Sequence, residues 1–230
     1  MKKIIISAFA LFAFVTTNLQ AEVSGMGFGL TLSNNDIGGS YSEDVDSDGS
    51  TDTTTTSSDT VTSGAIFVER TISNGRGGIT FGASLIPFDM DIAKKSISQA
   101  ALGDSGPNGA STSGTNSAEG KVQLHTTFYV QPGVVTSDGM TMIYATLGVI
   151  RANVEGTSKN VSSADFVTTK QADGTVVGVG IKRATENGMF FKLDYTESDY
   201  DALTFTTNNS TKVTANLDNT SLAFSVGKSF

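Results

Sequence analysis

The chain contains a single histidine, His125, which is the first candidate for catalysis. A lipid-modifying enzyme would need this histidine beside a serine nucleophile, with a carboxylate to orient the imidazole ring. The local sequence is His-Thr-Thr, and spacing alone assembles no Ser-His-carboxylate set around it. We therefore interpret His125 as a hydrogen-bonded interior histidine. The sequence designates no catalytic residue and no cofactor.

A run of aspartates offers a second chemistry, which is metal binding. Asp44, Asp46, Asp48 and Asp52 stand at positions 1, 3, 5 and 9 with Gly49 at position 6, as in the first part of a calcium loop. The bidentate glutamate that normally closes such a loop is missing, and no flanking helices are indicated. We interpret the run as a solvated acidic loop, and calcium binding stays an open alternative.

Four charged side chains form the third candidate set, because all of them fall on inward positions of predicted strands. They are Glu69, Lys182, Lys192 and Asp194. Each lies a few residues from a predicted short turn, so we expect them to gather at one end of the interior. Two cations and two carboxylates neutralise one another when they are desolvated, and unpaired they would be costly to bury. The pattern predicts a polar plug, completed by three further inward residues: Phe190, Tyr129 and Gln131.

Strands with alternating side chains must position these residues. Large apolar groups recur at every second position in eight segments, which predicts eight strands with one apolar face each. The predicted strands are residues 23–32, 61–71, 78–85, 122–131, 143–149, 177–182, 189–196 and 221–230. On the fourth strand, Val122, Leu124, Phe128 and Val130 are predicted to face outward and His125 inward.

The connections between the predicted strands differ in length on the two sides of the sheet. Short turns are predicted at residues 73–76, 137–139 and 185–188. Long polar loops are predicted at residues 33–60, about 93–120 and about 155–174. A hairpin through Leu203 and Phe205 is expected to project beyond the membrane. This asymmetry predicts an all-β, eight-stranded antiparallel transmembrane β-barrel with up-and-down topology.

Composition and the first residues indicate where the chain is sent. Lys2 and Lys3 precede a short apolar run that ends near Ala21, so residues 1–21 are predicted to be a signal peptide and residues 22–230 the barrel. The net charge of -8 argues against a nucleic-acid partner. Cysteine is absent, so the fold uses no disulfide.

The final strand ends on an aromatic residue, with Leu222, Phe224 and Val226 on the same face as Phe230. Together with the segments 177–182 and 191–195, it resembles the small outer-membrane β-barrel superfamily that includes the OmpA membrane domain, OmpX and the opacity-type proteins. The resemblance covers residues 22–230 and implies a bacterial outer-membrane location. It also implies that the barrel-assembly machinery recognises Phe230.

From these features we expect a non-enzymatic barrel with a structural or surface-contact role and a polar-plugged interior. A narrow porin-like channel for small solutes is the first alternative, and a lipid-modifying enzyme is the second. The expected partners are outer-membrane lipid, lipopolysaccharide and an unidentified extracellular molecule. We expect a monomer.

Overall fold

The computed structural model describes residues 23–44, 53–99, 114–160, 163–206 and 212–230. Within these ranges no helix is long and apolar enough to cross a membrane. In chain order the strands are β1 (Gly25–Asp44), β2 (Thr53–Ser73), β3 (Gly77–Ile86), β4 (Met90–Gln99), β5 (Gly114–Val135), β6 (Thr141–Asn160), β7 (Ser163–Ala184), β8 (Met189–Tyr200), β9 (Leu203–Thr206) and β10 (Lys212–Ser229). The predicted signal peptide lies outside the described residues, and its cleavage stays a prediction.

The strands close into one antiparallel barrel. β1 pairs with β2 on one edge and with β10 on the other, so the first and last strands close the sheet. β3 and β4 both pair with β5 and are two segments of one barrel strand, interrupted at Pro87. β8 and β9 both pair with β10 in the same way. The barrel therefore has eight strands in up-and-down order, which confirms the predicted fold class.

The half of the barrel that carries the short turns is apolar outside and polar inside. Leu30 and Leu32 point outward and are 61% and 63% exposed, whereas Ser225 and Thr80 point inward and are buried. A water-soluble protein has its apolar side chains inside and its polar ones outside, so this reversed arrangement fits a barrel that is surrounded by lipid. We call the outward apolar zone the lipid belt. The predicted faces of all eight strands in this half are confirmed, except at the start of the fourth.

Three tight turns close the end below the lipid belt. Gly75, Gly139 and Gly188 have φ values of 84°, 69° and 80°, in the left-handed region that glycine adopts without strain. In the first turn, the Asn74 backbone N–H donates to the Gly77 carbonyl oxygen at 3.0 Å. The three predicted turns are confirmed.

The segments predicted to be long loops are largely strands, and this prediction was wrong. β1 continues to Asp44 and β2 begins at Thr53, with residues such as Ser40 and Thr56 paired across the hairpin. β4 to β7 extend in the same way into the other two predicted loops. Beyond the lipid belt both faces of a strand can meet water, so the backbone ladder continues without apolar alternation.

A β-bulge corrects the start of the fourth predicted strand. Val122 was predicted to face outward, but it points inward and is 8% exposed. Between Gln123 and Thr126 the pairing with β6 shifts by one residue, and Leu124 takes a φ of +49°. One extra residue moves each side chain that precedes the bulge on β5 to the opposite face of the sheet, because side chains alternate with period two. Leu124 remains outward, as predicted.

Above the lipid belt the barrel wall divides into two sheets. β2 pairs with β3 only from Ile66 to Ser73, and β7 pairs with β8 only from Gly174 to Ala184. Beyond these points β9, β10, β1 and β2 form one sheet, and β4, β5, β6 and β7 form the other. We call this part the outer body.

Apolar side chains from both sheets fill the outer body. The buried members of this core are Met90, Val122, Ala152, Val154, Ala172, Leu203, Ala215 and Leu217. Burying a valine or leucine side chain contributes about 1.5–3 kcal/mol, so this core holds the two sheets together outside the lipid. The outer body is thus packed like a water-soluble β-sandwich, on top of a membrane barrel that has the opposite polarity.

Candidate functional site: the interior charge cluster

The candidate functional site is an ion-pair cluster inside the lipid-belt half of the barrel. Glu69 on β2 is central: its Oε1 accepts from Lys182 Nζ at 2.8 Å, and its Oε2 accepts from Lys192 Nζ at 2.9 Å. Lys182 lies on β7 and Lys192 on β8, across the lumen from β2. All three side chains are 5% exposed or less. The cluster therefore ties opposite walls of the barrel together.

Alternation explains why these three charges point inward. Ile66 and Val68 lie on the outward face of β2, which leaves Glu69 on the inward face. Lys182 follows the outward Ile181 on β7, and Lys192 follows the outward Phe191 on β8. The sequence predicts this inward placement, and the structure confirms it.

Neutral polar groups complete the hydrogen bonding of the cluster. The Tyr129 hydroxyl donates to Glu69 Oε2 at 3.1 Å. Lys182 Nζ donates to Thr71 Oγ1 at 3.1 Å, and Lys192 Nζ donates to Gln131 Oε1 at 3.2 Å. Because buried charges persist only when they are paired and hydrogen-bonded, these contacts are what allow the cluster to exist away from water.

Asp194 does not take part in the way the sequence predicts. We expected two cations and two carboxylates to pair with one another, but both lysines bond to Glu69. Asp194 Oδ1 instead accepts a hydrogen bond from the Tyr144 hydroxyl at 2.6 Å. Strand parity predicts which side chains enter the lumen, but it does not predict their positions around the barrel wall.

Aromatic rings surround the two lysines. Lys182 Nζ lies 4.3 Å from the centre of the Phe190 ring, and Lys192 Nζ lies 5.2 Å from that of Tyr129. The centres of the Phe67 and Tyr144 rings each lie 5.4 Å from Lys192 Nζ. A cation within about 6 Å of a ring face is attracted to it, so the rings stabilise the charges while they fill space.

Buried apolar and aromatic side chains pack around the cluster and fill the lumen. They are Val23, Phe67, Val135, Met142, Tyr144, Ala184 and Phe190. Phe190 and Met142 are both 0% exposed. The lumen of an eight-stranded barrel is just wide enough for side chains to fill, and here charges and rings fill it.

Two glycines make room for the aromatic residues. A β-carbon at Gly82 would overlap the Tyr129 ring, and one at Gly180 would lie 2.6 Å from Asp194 Oδ1 and 2.7 Å from the Tyr144 ring. The sequence pattern does not single out either glycine. Sequence reasoning also missed Phe67, Thr71 and Tyr144 as partners of the cluster, although their inward parity could have indicated them.

His125 lies apart from the charge cluster, at the base of the outer body. Its Nε2 is 2.9 Å from the Tyr200 hydroxyl, so the ring is an interior, hydrogen-bonded one. It is next to Thr126, which pairs with Arg151, and Arg151 forms an outward ion pair with Asp173 at 2.8 Å just above the lipid belt. Burial lowers the pKa of His125 to about 4, so the imidazole is neutral at pH 7.

A small cavity adjoins His125 between the two sheets. Its volume is about 40 Å³, and Asn35, Val122, Tyr200 and Asn219 are among its lining residues. Sites for organic ligands occupy roughly 300–1,000 Å³, so this cavity fits solvent instead. Asn219 Oδ1 is buried there without a hydrogen-bond partner in the described part of the chain, and a water molecule is the natural donor to it.

The predicted alternative of calcium binding lies almost entirely outside the described residues. Asp46, Asp48 and Asp52 are not among them, and only the backbone of Asp44 is described, at the end of β1. Within the described ranges, no group of three or more acidic or histidine side chains is arranged to hold a metal ion. Calcium binding by the aspartate run stays an open alternative to the solvated acidic loop.

Comparisons with known proteins concern the fold alone. No protein-family model and no curated sequence matches the chain. Among solved structures, the outer membrane protease OmpT from Escherichia coli is 7% identical, with a TM-score of 0.48 over 94% of this chain and 99% of that one. Neisserial surface protein A is 10% identical, with a TM-score of 0.37 over 87% and 97%.

The attachment invasion locus protein Ail of Yersinia pestis, solved with the heparin analogue sucrose octasulfate, is a third similar structure. It is 10% identical, with a TM-score of 0.33 over 85% of this chain and 98% of that one. The closed sheet of eight strands and the outward lipid belt are features of the chain itself. On those two features, the chain has the fold of the small eight-stranded outer-membrane β-barrels.

Proposed function

We propose that this chain is a non-conducting, non-enzymatic barrel of the bacterial outer membrane that holds a rigid outer body at the cell surface for contact with an extracellular partner. The observation that carries the proposal is the Glu69–Lys182–Lys192 cluster, which crosses the lumen with two buried ion pairs. A solute passing through would have to separate these charges in a dry interior. Leaving a buried ion pair broken costs roughly 3–5 kcal/mol, which opposes a steadily open path.

The outer body supports the surface-contact role. β1, β5, β6 and β7 are 20 to 22 residues long, whereas a transmembrane strand needs about 9–11 residues. About half of each strand therefore projects beyond the lipid, packed on the apolar core between the two sheets. A packed body presents its surface in a fixed shape, which favours recognition because less chain entropy is lost on binding.

The proposal also includes the cellular location and the remaining partners. Residues 1–21 would direct export, and Phe230 would be recognised by the barrel-assembly machinery. The mature barrel would be a monomer in contact with lipid and lipopolysaccharide. The acidic composition supports the absence of a nucleic-acid partner.

Single-channel recording in planar bilayers tests the plug. The parent protein should give no steady current, and a triple variant with Glu69, Lys182 and Lys192 replaced by alanine should conduct ions if it folds. Recovery of the variant in the folded, heat-modifiable form is the control for folding. Steady currents from the parent would contradict the proposal and support the narrow porin-like channel.

A lipid assay tests the enzyme alternative. Purified protein is incubated with lipopolysaccharide, and acyl chains lost or gained are measured by mass spectrometry. We expect no turnover, because His125 is held by Tyr200 in a closed interior. Turnover that disappears in His125→Ala would establish the lipid-modifying enzyme instead.

A further inference from the structure

Two basic side chains face the lipid near the short-turn end without a carboxylate partner. Arg70 on β2 and Lys228 on β10 are both exposed on the outward face. Neither takes part in an ion pair with any residue that the structure describes. Both are therefore cations on the lipid-facing side of the barrel, where an unpaired charge is costly.

Apolar side chains surround Arg70 on the outer surface of the barrel. Met26 of β1 and Phe81 of β3 lie opposite it on the two neighbouring strands. Val68 and Ile72 stand before and after it on the same face of β2. Ile72, on the side toward the turn, is 54% exposed, so the lipid belt continues below Arg70.

Lys228 has the same kind of surroundings. Phe28 of β1 and Met189 of β8 lie opposite it, and Val226 and Phe230 flank it on β10. The Phe28 and Phe230 rings stack with centres 5.4 Å apart, and Lys228 Nζ is 5.8 Å from the centre of the Phe230 ring. The two cations thus stand on either side of β1, at the closing seam of the barrel.

A third cation on the outward face, Arg183, is paired with a carboxylate of the protein. Arg183 on β7 donates to Asp138 Oδ2 at 3.3 Å and to Thr141 Oγ1. Asp138 belongs to the turn between β5 and β6, so this cation has an anion supplied by the protein. In the part of the chain that the structure describes, no ion pair joins Arg70 or Lys228 to a carboxylate, and the lipid around them is the other source of an anion.

We propose that Arg70 and Lys228 form a binding site for the phosphate of an anionic glycerophospholipid in the leaflet at the short-turn end. Neighbouring strands are about 4.8 Å apart, and the partners of the two cations on β1 are two residues apart, so the two side chains start roughly 12 Å from each other and can extend along the lipid belt toward one headgroup. The guanidinium of Arg70 can hold two phosphate oxygens at once, and Lys228 adds a point charge.

The lipid belt around the cations selects a lipid phosphate over a free one. Met26, Phe28 and Phe81 offer an apolar surface on which acyl chains pack, whereas a hydrated phosphate ion would have to lose water beside these side chains. Zwitterionic lipids carry their own ammonium group beside the phosphate. An anionic headgroup such as phosphatidylglycerol leaves its phosphate free for the two cations.

Fluorescence quenching by brominated lipids tests the site directly, because the chain contains no tryptophan of its own. A Phe81→Trp reporter lies beside Arg70, and a Leu147→Trp reporter lies on the outward face of β6, away from the site. Each variant is reconstituted in phosphatidylcholine with brominated phosphatidylglycerol or brominated phosphatidylcholine. The ratio of their association constants is measured at each reporter.

We expect phosphatidylglycerol to be preferred about fivefold or more at Phe81→Trp, since each basic residue near an anionic lipid contributes about 1 kcal/mol. No preference is expected at Leu147→Trp. Adding Arg70→Gln and Lys228→Gln to the Phe81→Trp reporter should abolish the preference, whereas Arg76→Gln in the first turn should leave it unchanged. An equal preference at both reporters, an equal loss with Arg76→Gln, or displacement of the lipid by millimolar inorganic phosphate would each overturn the proposal.

Discussion

Glu69 is a shared acceptor, and this makes the members of the charge cluster unequal. Both lysines and the Tyr129 hydroxyl converge on its two oxygens. Loss of either lysine leaves Glu69 with one cation. Loss of the carboxylate breaks the direct ion pairs of both buried lysines at once, since Asp194 bonds to Tyr144 instead. The stability of the cluster therefore depends most on this single carboxylate.

Glu69→Gln should destabilise the barrel more than Lys192→Met. Each broken buried ion pair costs roughly 3–5 kcal/mol, and Glu69→Gln breaks two while Lys192→Met breaks one. The measurement is the unfolding midpoint in denaturant for the protein folded in lipid vesicles. Asp194→Asn, which keeps an acceptor for Tyr144, is the matched control and should change the midpoint least. Equal midpoints for all three variants would show that the charges are not coupled.

The stability of the outer body should fall in acid because of His125. Burial lowers its folded-state pKa to about 4, below the unfolded value near 6.5. The unfolded chain therefore binds a proton more readily between these values, and stability present above about pH 6.5 is lost as the pH falls toward 4. Thermal unfolding at pH 7.5 and pH 5 should show this loss in the parent and a smaller one in His125→Gln. An identical loss in both would assign the pH dependence to other groups.

At the scale of a strand, the bulge at Leu124 decides which residues of β5 face the outside of the barrel. The chain has no native cysteine, so single cysteines can be placed in it without background. Leu124→Cys should react with a thiol reagent added from outside, because Leu124 is 45% exposed on the outer surface. Val122→Cys should be protected, because Val122 is buried in the outer body. Without the bulge both residues would lie on one face, and equal labelling would contradict the shifted register.

Close packing between strands depends on the inward glycines. Gly180→Ala should destabilise the barrel by about 1–3 kcal/mol, because its methyl group would collide with Asp194 and the Tyr144 ring. Gly156→Ala on β6 is the matched control, since the nearest atom to its β-carbon would be a Thr168 methyl at 3.8 Å. The unfolding midpoints of the two variants are compared with that of the parent. A neutral Gly180→Ala would mean that Tyr144 can move aside.

The lipid-belt half of the strands was predictable from sequence, and the outer half was not. Lipid on one side and a narrow lumen on the other force strict alternation, so faces such as that of Glu69 could be assigned by parity. Residues 54 and 56–60 are exposed on both faces of β2, so they carry no alternation from which a strand could be recognised. No sequence feature indicates the bulge at Leu124. Alternation shows that both lysines and Glu69 point inward, but it does not give their positions around the barrel, which bring both lysines to Glu69.

The whole molecule combines two apolar surfaces that point in opposite directions. In the membrane half the apolar side chains face outward into lipid, and in the outer body they face inward between two sheets. The change occurs within continuous strands, for example between the inward Leu217 and the outward Leu222 of β10. The outer body is therefore anchored to the membrane barrel by the strands themselves, without a flexible linker.

Phe230→Ala tests whether the final aromatic residue directs assembly of the whole barrel. The variant should still be exported, because residues 1–21 are unchanged, but it should reach the membrane fraction at a reduced level. Phe28→Ala is the matched control, since it removes the same ring stack and leaves Phe230 in place. Normal insertion of Phe230→Ala, or an equal defect in both variants, would contradict a signalling role for Phe230.

The ion pairs of Glu69 also have a kinetic consequence. The carboxylate is separated from Lys182 by 113 residues and from Lys192 by 123. Contacts so distant along the chain form late, because the loop that joins them must close first. Until β7 and β8 arrive, β2 would carry an uncompensated carboxylate into the hydrocarbon. Stepwise entry of the early strands is therefore penalised, and the arrangement favours a barrel whose strands cross the membrane together.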